Sequence, residues 1–147
     1  MKRQRLVEGI TFVTLVSGCV LARLACQGVP NFAPVAAAAL FAGYFFRSPA
    51  VALGVPLTVM AVSDLFLGGY DWRMMVLVYG ALSLPVGFRG PLRRHLAMGS
   101  GRPAAWPVAG LLSCSLAASL LFFFVTNFGC WLWMGAYERS VAGLIHC

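Results

Sequence analysis

Long apolar runs are the feature of this 147-residue chain that most restricts its fold. Of its residues, 61% are hydrophobic and only 10% are charged, whereas about a quarter of the residues of an ordinary soluble domain are charged. The apolar residues fall in runs of roughly 15 to 20, the helix length that crosses a hydrocarbon layer about 30 Å thick. The sequence therefore predicts an all-α protein, a polytopic bundle of transmembrane helices forming one domain over residues 1–147.

About five membrane segments can be delimited. Their approximate bounds are residues 6–25, 31–46, 49–67, 73–88 and 107–128, with 134 as an alternative end of the last one. We expect residues 138–147 either to lie outside the membrane or to start a sixth helix. A second interpretation of the amino terminus is a lipoprotein signal, because LVSGC follows a basic stretch and ends at Cys19.

The basic residues predict the orientation of these segments. With a cytoplasmic amino terminus, five crossings place eight of the eleven basic residues inside and three outside, as the positive-inside rule requires. The inner group is Lys2, Arg3, Arg5, Arg47, Arg89, Arg93, Arg94 and Arg102; the outer group is Arg23, Arg73 and Arg139. The basic residues form no stripe interleaved with aromatic residues, so we expect the lipid bilayer as a partner and no nucleic acid.

Asp64 is the most unusual residue of the apolar runs. It lies in VMAVSDLFLGGYDW, three residues before the predicted outer end of the third segment. An ionised carboxylate there costs a few kcal/mol unless it is hydrated or paired. Two interpretations stay open: a structural pair with Arg23 or Arg73, or a functional role.

Other polar and aromatic residues are predicted at the same outer face. Asn31 precedes the second segment, Tyr70 follows Asp64, and Asn127 and Trp131 end the fifth segment. Together they predict an outward-facing pocket for a small polar solute, floored by Asp64 and Asn127 and walled by the aromatic residues. The alternatives are an interfacial aromatic belt for Tyr70 and Trp131, a helix cap for Asn31 and an interhelical hydrogen bond for Asn127.

Small residues occur at the spacing that lets helices approach closely. Ala38 with Ala42 and Ala39 with Gly43 are each four residues apart. A second such stretch, SCSLAAS, lies in the fifth segment. These faces predict packing within the bundle or, alternatively, docking on another membrane subunit.

The sequence contains no pattern typical of catalysis or of metal binding. It has no P-loop, no H-E-x-x-H and no G-x-S-x-G, and His95 and His146 both lie outside the predicted spans. We therefore expect no enzymatic activity, no cofactor and no metal. The five cysteines lack metal-type spacing, but a disulfide or thiol relay between Cys26 and Cys130 stays open.

Three stretches resemble an uncharacterised family of small bacterial membrane proteins. They are PNFAPVAAAALFAGYFF, PLTVMAVSDLFLGGY and SLLFFFVTNFGCWLWMGAYERSVAGLI, within residues 28–145. The family motifs N-F-x-P, S-D and T-N-F-G-x-W fall on Asn31, Phe32, Pro34, Ser63, Asp64, Thr126, Asn127, Phe128, Gly129 and Trp131.

That family is in turn distantly similar to the S components of energy-coupling-factor vitamin transporters. The resemblance implies the inner membrane of a bacterium and a six-helix fold of which this chain carries a truncated version. It also implies a solute-binding subunit for uptake, working with an energising partner. The alternative hypotheses are an accessory structural subunit of a larger membrane complex and, from the cysteines alone, a membrane thiol enzyme.

Overall fold

The computed structural model describes residues 2–26, 34–69, 71–96, 105–135 and 137–146. Over these ranges the chain is helical and contains no β-strand, which confirms the all-α prediction. The helices are α1 (Lys2–Ala25), α2 (Pro34–Phe45), α3 (Pro49–Leu67), α4 (Trp72–Ser83), α5 (Arg89–Leu96), α6 (Ala105–Trp133) and α7 (Val141–His146). A 3-10 turn, Leu84–Phe88, joins α4 to α5.

Four helical stretches of the described chain are long and apolar enough to cross a membrane. They are Lys2–Ala25, Pro49–Leu67, Trp72–Arg94 and Val108–Trp133. The protein is therefore a membrane protein. Helix α2 is apolar but has 12 residues, so it is about 18 Å long and shorter than the hydrocarbon layer.

Contacts between helix ends fix the direction of each helix. Arg23 near the end of α1 meets Asp64 near the end of α3, so these two helices run in parallel. Phe12, near the middle of α1, packs edge-on against Phe46 after the end of α2. Cys19, later in α1, donates to the carbonyl of Pro34 at the start of α2 at 4.0 Å, so α2 runs the opposite way. Gly129 near the end of α6 lies against Leu77 in the first half of α4. Helices α1, α2, α3, α4 and α6 thus alternate in direction.

Helix α2 lies at the centre of the bundle. Six of its twelve residues are buried, including Ala38, Ala39, Ala42 and Gly43. A Cβ atom at Gly43 would lie 3.0 Å from the carbonyl oxygen of Val86 and 3.1 Å from its Cα. The small-residue face therefore packs inside the molecule, against the 3-10 turn.

The carbonyl groups at the end of α2 are satisfied by arginines from α5. Arg93 donates from Nε to the carbonyl of Tyr44 at 3.0 Å and from Nη2 to that of Phe46 at 2.6 Å. Arg89 donates from Nη2 to the carbonyl of Arg47 at 2.7 Å. The last carbonyls of a helix have no partner within the helix, so these arginines both cap α2 and fix α5 against it.

Candidate functional site

Asp64 lies in a hydrogen-bonded network near the end of α3. It is buried, with 7% of its surface exposed. Its Oδ1 accepts from Nη2 of Arg23 at 3.2 Å, and its Oδ2 accepts from the hydroxyl of Tyr79 at 2.9 Å. A donor from α1 and a donor from α4 thus compensate the charge and the buried oxygens of a carboxylate on α3.

The guanidinium of Arg23 also contacts the preceding turn of α3. Its Nη1 donates to the hydroxyl oxygen of Ser63 at 2.8 Å and lies against the sulfur of Met60. Ser63 is fully buried and donates in turn to the carbonyl of Val59 at 2.7 Å. Of the two pairing partners expected for Asp64, the structure selects Arg23; Arg73 instead lies over the ring of Trp72, 5.7 Å from its centroid.

Asn127 lines a separate cavity of about 660 Å³ between α4, α6 and α7. The other described lining residues are apolar: Leu77, Phe123, Phe124, Val125, Phe128, Leu144 and Ile145. The volume lies within the range of about 300–1,000 Å³ that small-molecule sites usually have. Among the described lining residues, Asn127 supplies the polar side chain, which is the pattern of a site that positions a mostly apolar molecule by one hydrogen-bonding group.

Gly129 positions the walls of this cavity. A Cβ at Gly129 would lie 2.9 Å from Cδ1 of Leu77 and 3.4 Å from the sulfur of Met74. The missing side chain lets α6 approach α4 at this level, so that Leu77 reaches the cavity two residues from Asn127 along α6.

Trp131 is half-buried and acts on the chain that follows α6. Its indole Nε1 donates to the carbonyl of Glu138 at 2.9 Å, and its ring packs on Phe128, with the ring centroids 5.7 Å apart. Phe128 lines the cavity. Trp131 therefore fixes the segment that carries α7 and its two lining residues, Leu144 and Ile145.

The structure separates the two residues that were expected at the floor of one pocket. Asp64 is not among the lining residues of the cavity beside Asn127. Within the described ranges, no Cα atom of α3 lies within 8 Å of a Cα atom of α6, whereas α4 lies next to both helices. The cavity thus differs from the predicted pocket, which combined both side chains. The predicted site residues Asn31 and Tyr70 lie outside the described residues.

The described residues contain no group of three His, Cys, Asp or Glu side chains that could hold a metal ion. Cys26 and Cys130 are not joined by a disulfide. Among the described residues, the polar groups of the candidate site are the carboxylate network of Asp64 and the amide of Asn127.

Several residues of the Asp64 network and of the cavity beside Asn127 had no sequence feature that indicated a role in a site. Tyr79 lies in a later helix than Asp64, and Leu77, Leu144 and Ile145 look like ordinary lipid-facing residues. Leu77 is brought in by the close approach of α4 to α6 at Gly129, and Tyr79 by the packing of α4 on α3. Leu144 and Ile145 depend on the segment that Trp131 holds, and spacing along the chain reports none of these contacts.

Comparison with known proteins identifies a family. Residues 3–147 match a family of unknown function, DUF6580, which confirms the expectation of an uncharacterised family. No curated protein and no solved structure matches the chain.

Proposed function

The chain belongs to the DUF6580 family, and we propose that it is an integral membrane subunit that binds a small solute and has no catalysis of its own. We place it in the inner membrane of a bacterium, with its amino terminus in the cytoplasm. The separation of basic residues between the two ends of the bundle supports this orientation.

The observation that carries the proposal is the cavity beside Asn127. Its volume of about 660 Å³ accommodates a vitamin-sized molecule. Because its described walls are apolar apart from Asn127, the solute we propose is mostly apolar with one hydrogen-bonding group. This proposed solute differs from the small polar solute that the sequence predicted.

In this proposal Asp64 supports the site without contacting the solute. Both of its carboxylate oxygens accept hydrogen bonds, one from Arg23 and one from Tyr79. Tyr79 lies two residues from Leu77 on α4, so the network holds the helix that provides one wall of the cavity. Contacts from Asn31 and Tyr70 to the solute stay predictions.

We favour a role for this subunit in the uptake of the solute that it binds. It is supported by the similarity of the N-F-x-P, S-D and T-N-F-G-x-W stretches to S components. The partner would then be a module that supplies energy. The face formed by Ala38, Ala39, Ala42 and Gly43 is buried within the bundle, so the partner would dock on another surface.

The test is a thermal-shift screen of the protein in lipid nanodiscs, with a panel of vitamins that combine an apolar ring with an amide or carboxyl group. We expect at least one of them to raise the melting temperature. In Asn127→Leu that shift should fall by more than half, because the amide is lost while the size of the side chain is nearly kept. In the matched control Thr126→Val the shift should persist, since the Thr126 hydroxyl donates to the carbonyl of Phe122 within α6.

Two outcomes would overturn the assignment. One is a panel in which no compound stabilises the protein. The other is a ligand whose shift survives in Asn127→Leu but disappears in Asp64→Asn, which would move the site to the carboxylate network. A shift that persists in Asp64→Asn, on a lower baseline, agrees with the supporting role of Asp64.

A second candidate function is an accessory subunit of a larger membrane complex. The observation in its favour is that Ser113, Ser115 and Ser119 are all exposed on α6, where small side chains permit close approach of another helix. Purification in a mild detergent distinguishes the two functions. A stoichiometric partner that is lost in Ser115→Leu would support the accessory role, and a chain that migrates alone would exclude it.

A further inference from the structure

The two ends of the bundle differ strongly in charge. One end, here called the basic end, carries seven basic residues of the described chain and one acidic residue, Glu8. The basic residues are Lys2, Arg3, Arg5, Arg47, Arg89, Arg93 and Arg94. The contacts of Phe12 with Phe46, and of Arg89 and Arg93 with the end of α2, bring them to the same side.

The opposite end of the described chain is balanced. It carries Arg23, Arg73 and Arg139 together with Asp64, Asp71 and Glu138. An anionic molecule is therefore attracted to one end of the bundle and not to the other.

An apolar cleft of about 340 Å³ reaches the basic end. It lies between α3, α4 and the 3-10 turn, and we call it the Arg89 cleft. Its described lining is Pro49, Leu53, Gly80, Ser83, Leu84, Val86, Gly87 and Arg89. Leu53 and Leu84 are 37% and 44% exposed. They belong to stretches long enough to cross the membrane, so the cleft opens toward lipid.

The guanidinium of Arg89 closes the cleft at the basic end. Its Nη2 donates to the carbonyl of Arg47, whereas a guanidinium carries five N–H donors arranged to fit phosphate oxygens. Arg47 itself is exposed. An apolar channel that ends at such a donor matches one chemical class, a molecule with a long hydrocarbon chain and an anionic headgroup.

We propose that the Arg89 cleft binds an anionic phospholipid, with an acyl chain along Leu53 and Leu84 and the phosphate on the guanidinium of Arg89. A zwitterionic lipid such as phosphatidylcholine also offers a phosphate, but its choline group cancels the charge, so the basic end does not attract it as a whole. An anionic headgroup also gains the attraction of the basic end, which for each Lys or Arg near a membrane surface amounts to about a five-fold change in affinity. This site is independent of the cavity beside Asn127, so either can fail without the other.

The test is native mass spectrometry of the full chain in mild detergent, titrated with phosphatidylglycerol or phosphatidylcholine of identical acyl chains. We expect phosphatidylglycerol to be retained preferentially. Arg89→Gln should weaken phosphatidylglycerol binding about five-fold and phosphatidylcholine binding by less, so that the preference for the anionic lipid decreases. Arg89→Lys, which keeps the charge, should retain most of the preference.

Filling the cleft provides a second test. A Cβ at Gly80 meets nothing within 4 Å, and the same is true at Gly87. Gly80→Leu and Gly87→Leu should therefore occupy the cleft without a backbone clash and reduce retention of both lipids. Gly18→Leu is the matched control, because Gly18 on α1 is equally open and lies outside the cleft.

Three results would overturn the proposal. The first is equal retention of the two lipids by the wild-type chain. The second is an equal effect of Arg89→Gln and Arg94→Gln, which would indicate diffuse attraction to the basic end. The third is unchanged lipid retention in both folded cleft-filling variants, as would follow if the cleft were occupied by a protein partner or were empty.

Discussion

An ionised aspartate within a membrane protein is stable only when its surroundings replace the hydrogen bonds of water. For Asp64 the replacement comes from the guanidinium of Arg23 and the hydroxyl of Tyr79. The side chains of Arg23 and Asp64 are 19% and 6% exposed, so the pair is largely shielded from solvent. Removing one partner leaves the other charge buried and uncompensated, which costs more than removing both.

We therefore predict strong coupling in a double-mutant cycle of Arg23 and Asp64. Arg23→Leu and Asp64→Leu should each lower the free energy of unfolding by about 2–4 kcal/mol, because each leaves a single buried charge. The double variant should be about 1–3 kcal/mol more stable than the sum of the two losses predicts. Unfolding by SDS in mixed micelles measures all three.

Arg73→Leu is the control for this cycle. Arg73 is exposed and lies over Trp72, and an exposed cation–π contact contributes only about 0.5–1 kcal/mol. Additive losses in the cycle, or a loss in Arg73→Leu as large as that in Arg23→Leu, would contradict a buried pair at Asp64.

At the scale of the elements, α2 shows how a short apolar helix is held inside the bundle. It ends at Phe45, shortly before Pro49, which disfavours helical geometry at the preceding residue, Ser48. The carbonyl of Tyr44 in the last turn of α2 and that of Phe46 directly after it accept from Arg93 of α5, and the carbonyl of Arg47 accepts from Arg89. Residues 89–96, which lie between the fourth and fifth predicted segments, form a helix whose arginines are oriented by these hydrogen bonds.

We predict that Gly43 of α2 does not tolerate a side chain. A methyl group there meets the backbone of Val86 at 3.0 Å, and backbone cannot rotate away as a side chain can. Gly43→Ala should therefore lower the free energy of unfolding by about 1–3 kcal/mol, the usual effect of overpacking. The same SDS titration measures the change.

Gly18→Ala is the matched control, since a Cβ at Gly18 on α1 meets nothing within 4 Å. Its stability should equal or slightly exceed that of the wild type, because alanine favours a helix over glycine. Equal stability of the two alanine variants would show that α2 and the 3-10 turn are not in close contact.

The sequence predicted the elements better than their contacts. The bounds of residues 49–67 agree with α3, and the first and last segments agree with α1 and α6 within a few residues, because apolar run length is set by the membrane itself. Spacing also identified Gly43 as a point of close approach, but not Val86 as the group it approaches. The same limit applies to the site: Asn127 was singled out, whereas its neighbours Leu77 and Leu144 depend on helix packing.

In the whole molecule, the directions of the helices determine at which end of the bundle each charged residue lies. Each contact that fixes a helix direction also sorts the basic residues between the ends, with seven at one end and three at the other among those described. Lys and Arg resist transfer across the membrane, and the seven at the basic end outnumber the three at the opposite end, so the basic end is the one expected to stay in the cytoplasm. The basic residues that set the orientation of the bundle are thus spread over α1, the connection between α2 and α3, and α5.

We predict that the basic end faces the cytoplasm, and two glycines allow a direct test. Gly90 lies at the basic end and Gly69 in the loop between α3 and α4 at the opposite end; both are exposed, and a Cβ at either position clashes with nothing. In a chain whose own cysteines are replaced by serine, Gly69→Cys should react with a membrane-impermeant maleimide in intact spheroplasts. Gly90→Cys should react only after permeabilisation. The reverse pattern would invert the orientation, and labelling of both sites in intact cells would show that positive charge does not control the insertion of this chain.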